Sequence, residues 1–244
     1  MGLFDFLGGG TPAEKAQRLK PKVIQKYGDA VNRQKAIDQL GEMKTPEAVA
    51  VLLHRFTIAV DPGTTDADEK EIVFNQICNV GQPSVAPIRE FLKRQDQASS
   101  WMLKLLDAIL PPEEVVNIVV DELQRLGAGY TRDPEKKIVL LHFVEGKQDP
   151  KIAGCALGLL EDMADDVKIA ALKVLGPLKY EPAREPMLKL LTEEETGKRV
   201  QTAALAAIAD SEFTVQGYRE KVEARLPQGW FVDKSGAVKK RGDA

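Results

Sequence analysis

One apolar anchor, set among small residues, recurs along most of the chain, and that recurrence limits what the chain can fold into. The segment Asp166 to Leu191, DVKIAALKVLGPLKYEPAREPMLKLL, can be laid over the stretches on either side of it. Ala171, Leu172, Leu175 and Gly176 then match Ala36, Ile37, Leu40 and Gly41. Moved toward the C-terminus, Val167, Ala170, Ala171, Leu172 and Leu175 match Val200, Ala203, Ala204, Leu205 and Ile208. Weaker copies place Val80, Ile109 and Val144 at the same anchor. The anchors at 40, 80, 109, 144, 175 and 208 are separated by 40, 29, 35, 31 and 33 residues, which is the period of stacked helix pairs. Asp61 to Asp68 (DPGTTDAD) reads as a turn-rich insertion that lengthens the first gap, and Leu126 to Asp133 (LGAGYTRD) stretches the third.

Each unit reads as two helices. The first carries apolar residues at helical intervals, as in Ile169, Leu172, Leu175 and Leu178. A break follows, with Gly41 and Pro46, Gly81 and Pro83, Pro111 and Pro112, Gly146 and Pro150, or Gly176 and Pro182. Second helices are predicted at Ala48 to Phe56, Val85 to Arg94, Glu113 to Leu126 and Ala183 to Leu191. One such pair cannot bury its apolar stripes alone, so the pairs must stack.

The ends read differently. Residues 11–28 predict an N-terminal helix: Thr11 caps it, Pro12 fits its first position and Glu14 reaches back to the cap. Pro21 predicts a kink or break near Lys20, and Gly28 a terminator. Residues 29–226 form the repeat domain. Residues 227–244 hold a short hairpin, Trp230-Phe231-Val232 returning through Asp233 to Gly236 into Ala237-Val238, that caps the array, followed by a basic tail, Lys239-Lys240-Arg241, read as mobile. Residues 1–10 form a flexible apolar tail.

With these residues the chain resembles HEAT repeats, and is similar in particular to the phycobilisome-lyase-like variety. VKIAALKVLGPL, Val167 to Leu178, carries the likeness most clearly. The resemblance implies an all-α fold: a right-handed superhelix of about six antiparallel helix pairs, the second helices lining a concave face. It also implies an interaction scaffold in most cases and an enzyme in some. Of those enzymes, deoxyhypusine hydroxylase uses repeated His-Glu pairs, which two isolated histidines, His54 and His142, cannot supply. HEAT-like alkylpurine DNA glycosylases cradle DNA on a basic face with Trp and Asp, whereas Trp101 falls on a first helix as a packing residue and Trp230 in the hairpin. A phycobilin-lyase-like or other HEAT-family enzyme is the first alternative to a scaffold, and a nucleic-acid-binding HEAT-like protein the second.

Composition narrows the choice. Lys plus Arg number 34 and Asp plus Glu 37, a net charge of −3, so bulk binding of a polyanion is disfavoured. Two cysteines, Cys78 and Cys155, exclude a disulfide scaffold and read as inert core residues. His142, inside Leu140-Leu141-His142-Phe143, reads as a packed core histidine, and His54 as a partly exposed one. No phosphate-binding loop, metal-ligand spacing or catalytic constellation stands out, so no cofactor, no metal and no catalysis are expected. No apolar run reaches the length that crosses a bilayer and no leader is read at Met1 to Gly10, so a cytoplasmic monomer is expected.

The expected function is a non-catalytic scaffold or adaptor for a protein or peptide. Asn117, Asp121 and Gln124 share one face of the third unit's second helix. Arg89 and Lys93 sit four apart on the preceding second helix, and family geometry places the two stripes side by side on the concave surface. Arg184, Arg219 and Arg225 would continue that groove. Leu3, Phe4, Phe6 and Leu7 form a candidate docking tail on a triple-glycine tether. With the basic residues Lys15 to Lys26 they also allow weak membrane-surface contact. Phe6 stands where a myristoylation motif needs Ser or Thr.

Overall fold

A computed structural model describes residues 10–241. Among these residues all secondary structure is helical apart from one C-terminal hairpin, so the chain is all-α with a short β appendage. It divides into two compact units at Val115 and Val116.

The first unit holds α1 (Pro12–Val23), α2 (Ala30–Met43), α3 (Pro46–Leu52), α4 (Gly63–Val80), α5 (Val85–Arg94) and α6 (Ser99–Ile109). α2 lies against α4 and α4 against α6, while α1 lies against α3 and α3 against α5. These are the two layers of a stacked helix-pair array. Between them Ile37, Leu40, Leu52, Leu53, Val73, Ile77, Ile88, Met102 and Leu105 are fully buried, each stabilising by roughly 2 kcal/mol.

Local chemistry sets the boundaries. Glu14 N–H donates to Thr11 Oγ1 (3.3 Å) and Thr11 N–H to Glu14 Oε2 (2.9 Å), a complete capping box. α1 runs through Pro21 to Val23 and stops short of Gly28. Pro21 lies in the last turn, where it costs one hydrogen bond, and the buried Val23 holds the turn down. The expected insertion is also partly helical: Gly63 to Asp68 are the opening turns of α4. Asp66 favours a helix start there through the dipole and accepts the Val60 N–H (3.1 Å). The anchor slips in two units. Val80 and Ile109 end their helices half-buried, while Ile77 and Leu106, one turn earlier, are fully buried.

A buried ionic cluster, which periodicity does not reveal, lies inside this unit. Glu69 of α4 takes a two-point contact from Arg33 of α2 (2.7 and 2.8 Å) and a third bond from Arg55 Nε (2.8 Å). Arg55, in the tight turn Leu53–Thr57 after α3, also pairs with Asp66 (2.8 Å), which pairs with Lys70 (2.7 Å). Arg55 is 0% exposed and Glu69 4%. Burial alone would raise the Glu69 carboxyl, but the bonds and charges of Arg33 and Arg55 outweigh it and hold it below the ordinary range.

The second unit begins within α7 (Pro112–Leu126) and continues through α8 (Glu135–Val144), α9 (Pro150–Gly158), α10 (Asp165–Leu178), α11 (Arg184–Thr192), α12 (Lys198–Asp210) and α13 (Arg219–Glu223). α10 lies against α8, α9 and α12, and α11 against α12 and α13. Two sides of α10 are therefore covered, which is why Val167, Ala170, Ala171, Leu172, Val174 and Leu175 are all buried. At Gly176 the crossing is tight: a Cβ there would lie 3.3 Å from Ala207 Cα. Ser211 Oγ ties the helix ends by donating to Gly176 O (2.9 Å). Charges are buried here too, Lys136 on Glu122 (2.8 Å) and Lys137 on Asp162 (2.6 Å).

β1 (Trp230–Val232) and β2 (Val238–Lys240) pair antiparallel, with Trp230 opposite Lys240 and Val232 opposite Val238. Asp233 closes the turn by accepting from Ser235 N–H (2.8 Å) and Ala237 N–H (3.0 Å). Lys239 and Lys240, expected in a mobile tail, belong to β2, and Arg241 N–H donates to Gly229 O (2.7 Å). The strand extends because these residues keep their backbones in the ladder, while the Lys239 ammonium pairs with Asp233 (3.2 Å) and Lys240 and Arg241 are exposed.

Two stability outcomes follow. Glu69→Gln leaves two buried guanidinium groups undercompensated and is expected to cost about 3 kcal/mol in chemical denaturation. Because the folded carboxyl titrates below its unfolded counterpart, its contribution is full above the ordinary range and lost as pH falls below about 4. Gly176→Val is expected to cost about 2 kcal/mol by forcing α10 off α12, whereas Gly154→Val, with open space around its Cβ, costs less.

Candidate functional site

The second-layer helices of the first unit leave a cleft of about 580 Å³ between α3 and α5, closed at one end by Lys20 of α1. Three local devices build it. Thr45 caps α3 by accepting the Ala48 N–H (3.3 Å), with Pro46 in the first turn. After α3 the chain tightens into the turn Leu53–Thr57, which buries Leu53 and Arg55 and leaves half-buried His54 between them facing the cleft. Before α5, Gly81 takes φ +71 and Ser84 Oγ donates to Ile77 O (3.0 Å), reversing the chain at the end of α4.

The floor is apolar: Pro46 and Ala50 from α3, Ala86, Pro87 and Phe91 from α5. The His54 ring meets Phe91 edge to face, with centroids 5.2 Å apart and planes at 74°. The rim carries both signs, Lys20 and Arg94 against Glu47 and Glu90. Arg94 and Glu90 pair along the helix at exposed positions, where such a pair contributes little to stability. Burial, and then the charge of Lys20, hold the His54 imidazole below its ordinary pKa of 6.5. At neutral pH it is uncharged and has one donor and one acceptor nitrogen. The cleft can thus seat a small apolar side chain on its floor, hydrogen-bond a polar group at His54 and pair charges of either sign at its rim.

The residues read from sequence fall in several places. Arg89 and Lys93 lie on α5, but on the stripe about a quarter-turn from Ala86, Glu90 and Arg94, which face the cleft. Asn117, Asp121 and Gln124 are exposed on one side of α7, opposite buried Val115, Val119 and Leu123. Asn117 Oδ1 accepts from Lys151 Nζ (2.7 Å). Arg184 is committed to the backbone, donating to Thr214 O (2.9 Å) and Gln216 O (2.7 Å), so its guanidinium fastens the loop after α12. Arg219 pairs with Glu223 (2.8 Å). Arg225, half-buried, lines a smaller hollow near α12. Leu3, Phe4, Phe6 and Leu7 lie outside the described residues.

Two single-residue expectations change. His142 is exposed, with Nδ1 3.2 Å from Glu145 Oε2, because Leu140, Leu141 and Val144 form the inward stripe of α8. Cys78 is only half-buried. Cys155 is buried, and burial pushes its thiol up to about 11. Among the described residues no three His, Cys, Asp or Glu side chains converge as a metal site. No described helix is long and apolar enough to cross a membrane.

Lys20, Glu47, Glu90 and Arg94 escaped sequence reasoning. α5 carries charge on both flanks, and nothing in its own sequence says which flank turns to α3. His54 gave a faint signal as a polar residue directly after Leu52-Leu53.

No protein-family model matches the chain, and no curated protein matches it. A solved structure of human deoxyhypusine hydroxylase in complex with glycerol is similar at 15% identity, covering 88% of this chain and 95% of that one, with a TM-score of 0.31. That protein is an enzyme, so the expectation that this chain stands outside the enzymes is withdrawn. At this TM-score the likeness assigns no activity to the chain.

In an NMR titration His54 is expected to take up its proton below pH 6.5, and Lys20→Ala to move that midpoint upward. Since the unfolded histidine protonates first, stability is full above about pH 6.5 and declines as pH falls through it.

Proposed function

We propose that this protein binds a partner protein or peptide along its second-layer helices, with the α3–α5 cleft as the main seat. The observation that carries this reading is the cleft itself: an apolar floor, a neutral histidine and a rim with two charges of each sign. Such a surface suits a polypeptide that offers an apolar anchor between charged residues. On the same unit, Arg89 and Lys93 of α5 supply further polar positions for an extended partner.

The reading goes with membership of the HEAT-type repeats, of the phycobilisome-lyase-like kind that Val167 to Leu178 resembles. The layered packing of α10 on α12, close at Gly176, supports that assignment. Two free thiols, Cys78 and Cys155, support a reducing cytoplasm as the working compartment.

A photo-crosslinking residue in place of Ala86, at the cleft, is expected to capture a discrete protein in extract of the native cell. The same residue in place of exposed Asp38 of α2 is expected to capture none. Excess unlabelled parent chain should compete, and the Ala86→Trp chain, its cleft filled, should not. Equal competition by both would remove the cleft from the function.

A further inference from the structure

The connection from α1 to α2 holds apolar side chains out in water. Tyr27 is 82% exposed, Val31 57% and Ile24 37%, three such residues within eight positions. The connection is nevertheless tied down from its inner side. Arg33, already bound to Glu69, also donates to Gln25 O (3.1 Å). Ile24 N–H donates to Lys20 O (3.1 Å) and Gln25 Nε2 to Tyr27 O (3.2 Å). Asp29 caps α2 by accepting the Val31 N–H (2.9 Å). Buried Val23 and Arg33 bracket the segment, so it is seated on the unit while Ile24, Tyr27 and Val31 stay outside. Grouped apolar exposure on a fixed backbone marks a contact surface.

Charge of one sign flanks this tip. Residues 12–35 carry seven basic residues against two acidic ones, a net charge of +5 in a chain of −3. Arg33 is neutralised inside the ionic cluster and Lys20 belongs to the cleft rim. The other five, Lys15, Arg18, Lys22, Lys26 and Lys35, are exposed and have no ionic partner among the described residues. Lys15, Arg18 and Lys22 fall at i, i+3 and i+7 and share one flank of α1. Lys26 Nζ lies 5.5 Å from the centre of the Tyr27 ring, and Lys35 stands one turn beyond Val31. Both acids are turned onto helix caps, Glu14 on the Thr11 N–H and Asp29 on the Val31 N–H (2.9 Å each).

We propose that this end of the first unit docks on the surface of an anionic lipid bilayer. The Tyr27 ring, with Ile24 and Val31, enters the boundary between headgroups and acyl chains, and the five cations lie over the acidic headgroups. Side chains as exposed as Tyr27 and Val31 form no hollow that would fit a partner of fixed shape. The cations are spread along α1, a helix of twelve residues and so about 18 Å long. An extended, negative surface with an apolar interior meets both conditions at once. Three side chains bury too little for permanent anchoring, so the contact is reversible and depends on salt. It uses no residue that lines the α3–α5 cleft, and stands or falls independently of it.

The test is co-sedimentation of the full chain with vesicles of phosphatidylcholine and phosphatidylserine in a two-to-one ratio. Binding is expected at low salt, with little to vesicles of phosphatidylcholine alone. The double change Lys22→Gln and Lys26→Gln is expected to weaken it about twentyfold, since each basic residue near an anionic surface contributes roughly a factor of five. Tyr27→Ser, which leaves every charge in place, is expected to weaken it about fivefold. Both changes are at exposed positions, and thermal melting checks that each variant is folded. A Tyr27→Trp chain is expected to be quenched by lipids brominated on their acyl chains more strongly than the parent chain, whose Trp101 and Trp230 lie elsewhere. Equal quenching of the two, or undiminished binding of the double lysine variant, would overturn the assignment by placing the contact elsewhere on the chain. Full binding of Tyr27→Ser would reduce the site to a bare cationic patch and overturn it too. No binding to acidic vesicles would overturn it in favour of a soluble acidic partner.

Discussion

Where α10 passes α12, the backbones come so close at Gly176 that a Cβ would press on Ala207 Cα at 3.3 Å. The constraint behind that contact governs the whole chain. A helix of ten to fifteen residues is marginal in water by itself, and most of its stability comes from burying an apolar face. Here α4 shares its faces between α2 and α6, and α10 between α8 and α12, and at α10 a small residue sets how near the neighbour comes. Once the first layer is packed in this way, the second-layer helices inherit their spacing. α3 and α5 are held by Val49, Leu52, Ile88 and Leu92 on their inner sides. Their outer flanks are left parted, and the cleft is that gap.

The buried charges of the first unit fix what stands in the gap. Taking Arg33, Arg55 and Glu69 out of water is costly, and an apolar set of the same volume could be as stable. What such a set would not do is specify the path of the turn after α3. Arg55 reaches Glu69, Asp66 and the Ile58 carbonyl at once (2.8, 2.8 and 3.2 Å). Only one arrangement of Leu53–Thr57 satisfies all three. His54, next to Arg55, is thereby presented to Phe91. A residue fully inside the protein thus determines the orientation of a residue in the candidate site.

These origins explain what could be read in advance. α5 spans Val85–Arg94, the range its apolar spacing predicts, because its boundaries are local: Gly81 and Pro83 before it, and Gln95 outside the apolar stripe after it. The hairpin is legible for the same reason, since Asp233, Ser235 and Gly236 make the turn by themselves. The slipped anchors, Ile77 for Val80 and Leu106 for Ile109, are not local. Periodicity gives the stripe, but the neighbouring helix decides which turn of it is covered. His142 went the same way, apolar in its neighbours and exposed in space. The ionic cluster joins residues 36 positions apart, and charges at such separation carry no pattern that periodicity can detect. The cleft needs the facing of three helices at once, α1, α3 and α5, which no single segment encodes.

Net charge is a poor guide to what such a molecule meets. The chain totals −3, yet at physiological salt a charge is felt over only about 8 Å. The α3–α5 cleft is lined by two cations and two anions that cancel, so the positions of those charges characterise the surface and their sum does not. Along β2, Lys239, Lys240 and Arg241 stand in consecutive positions, with Asp210 at the end of α12 as the one acid of the facing wall not engaged by a lysine. The same acidic chain therefore presents a neutral, patterned surface in one unit and a locally cationic one in the other.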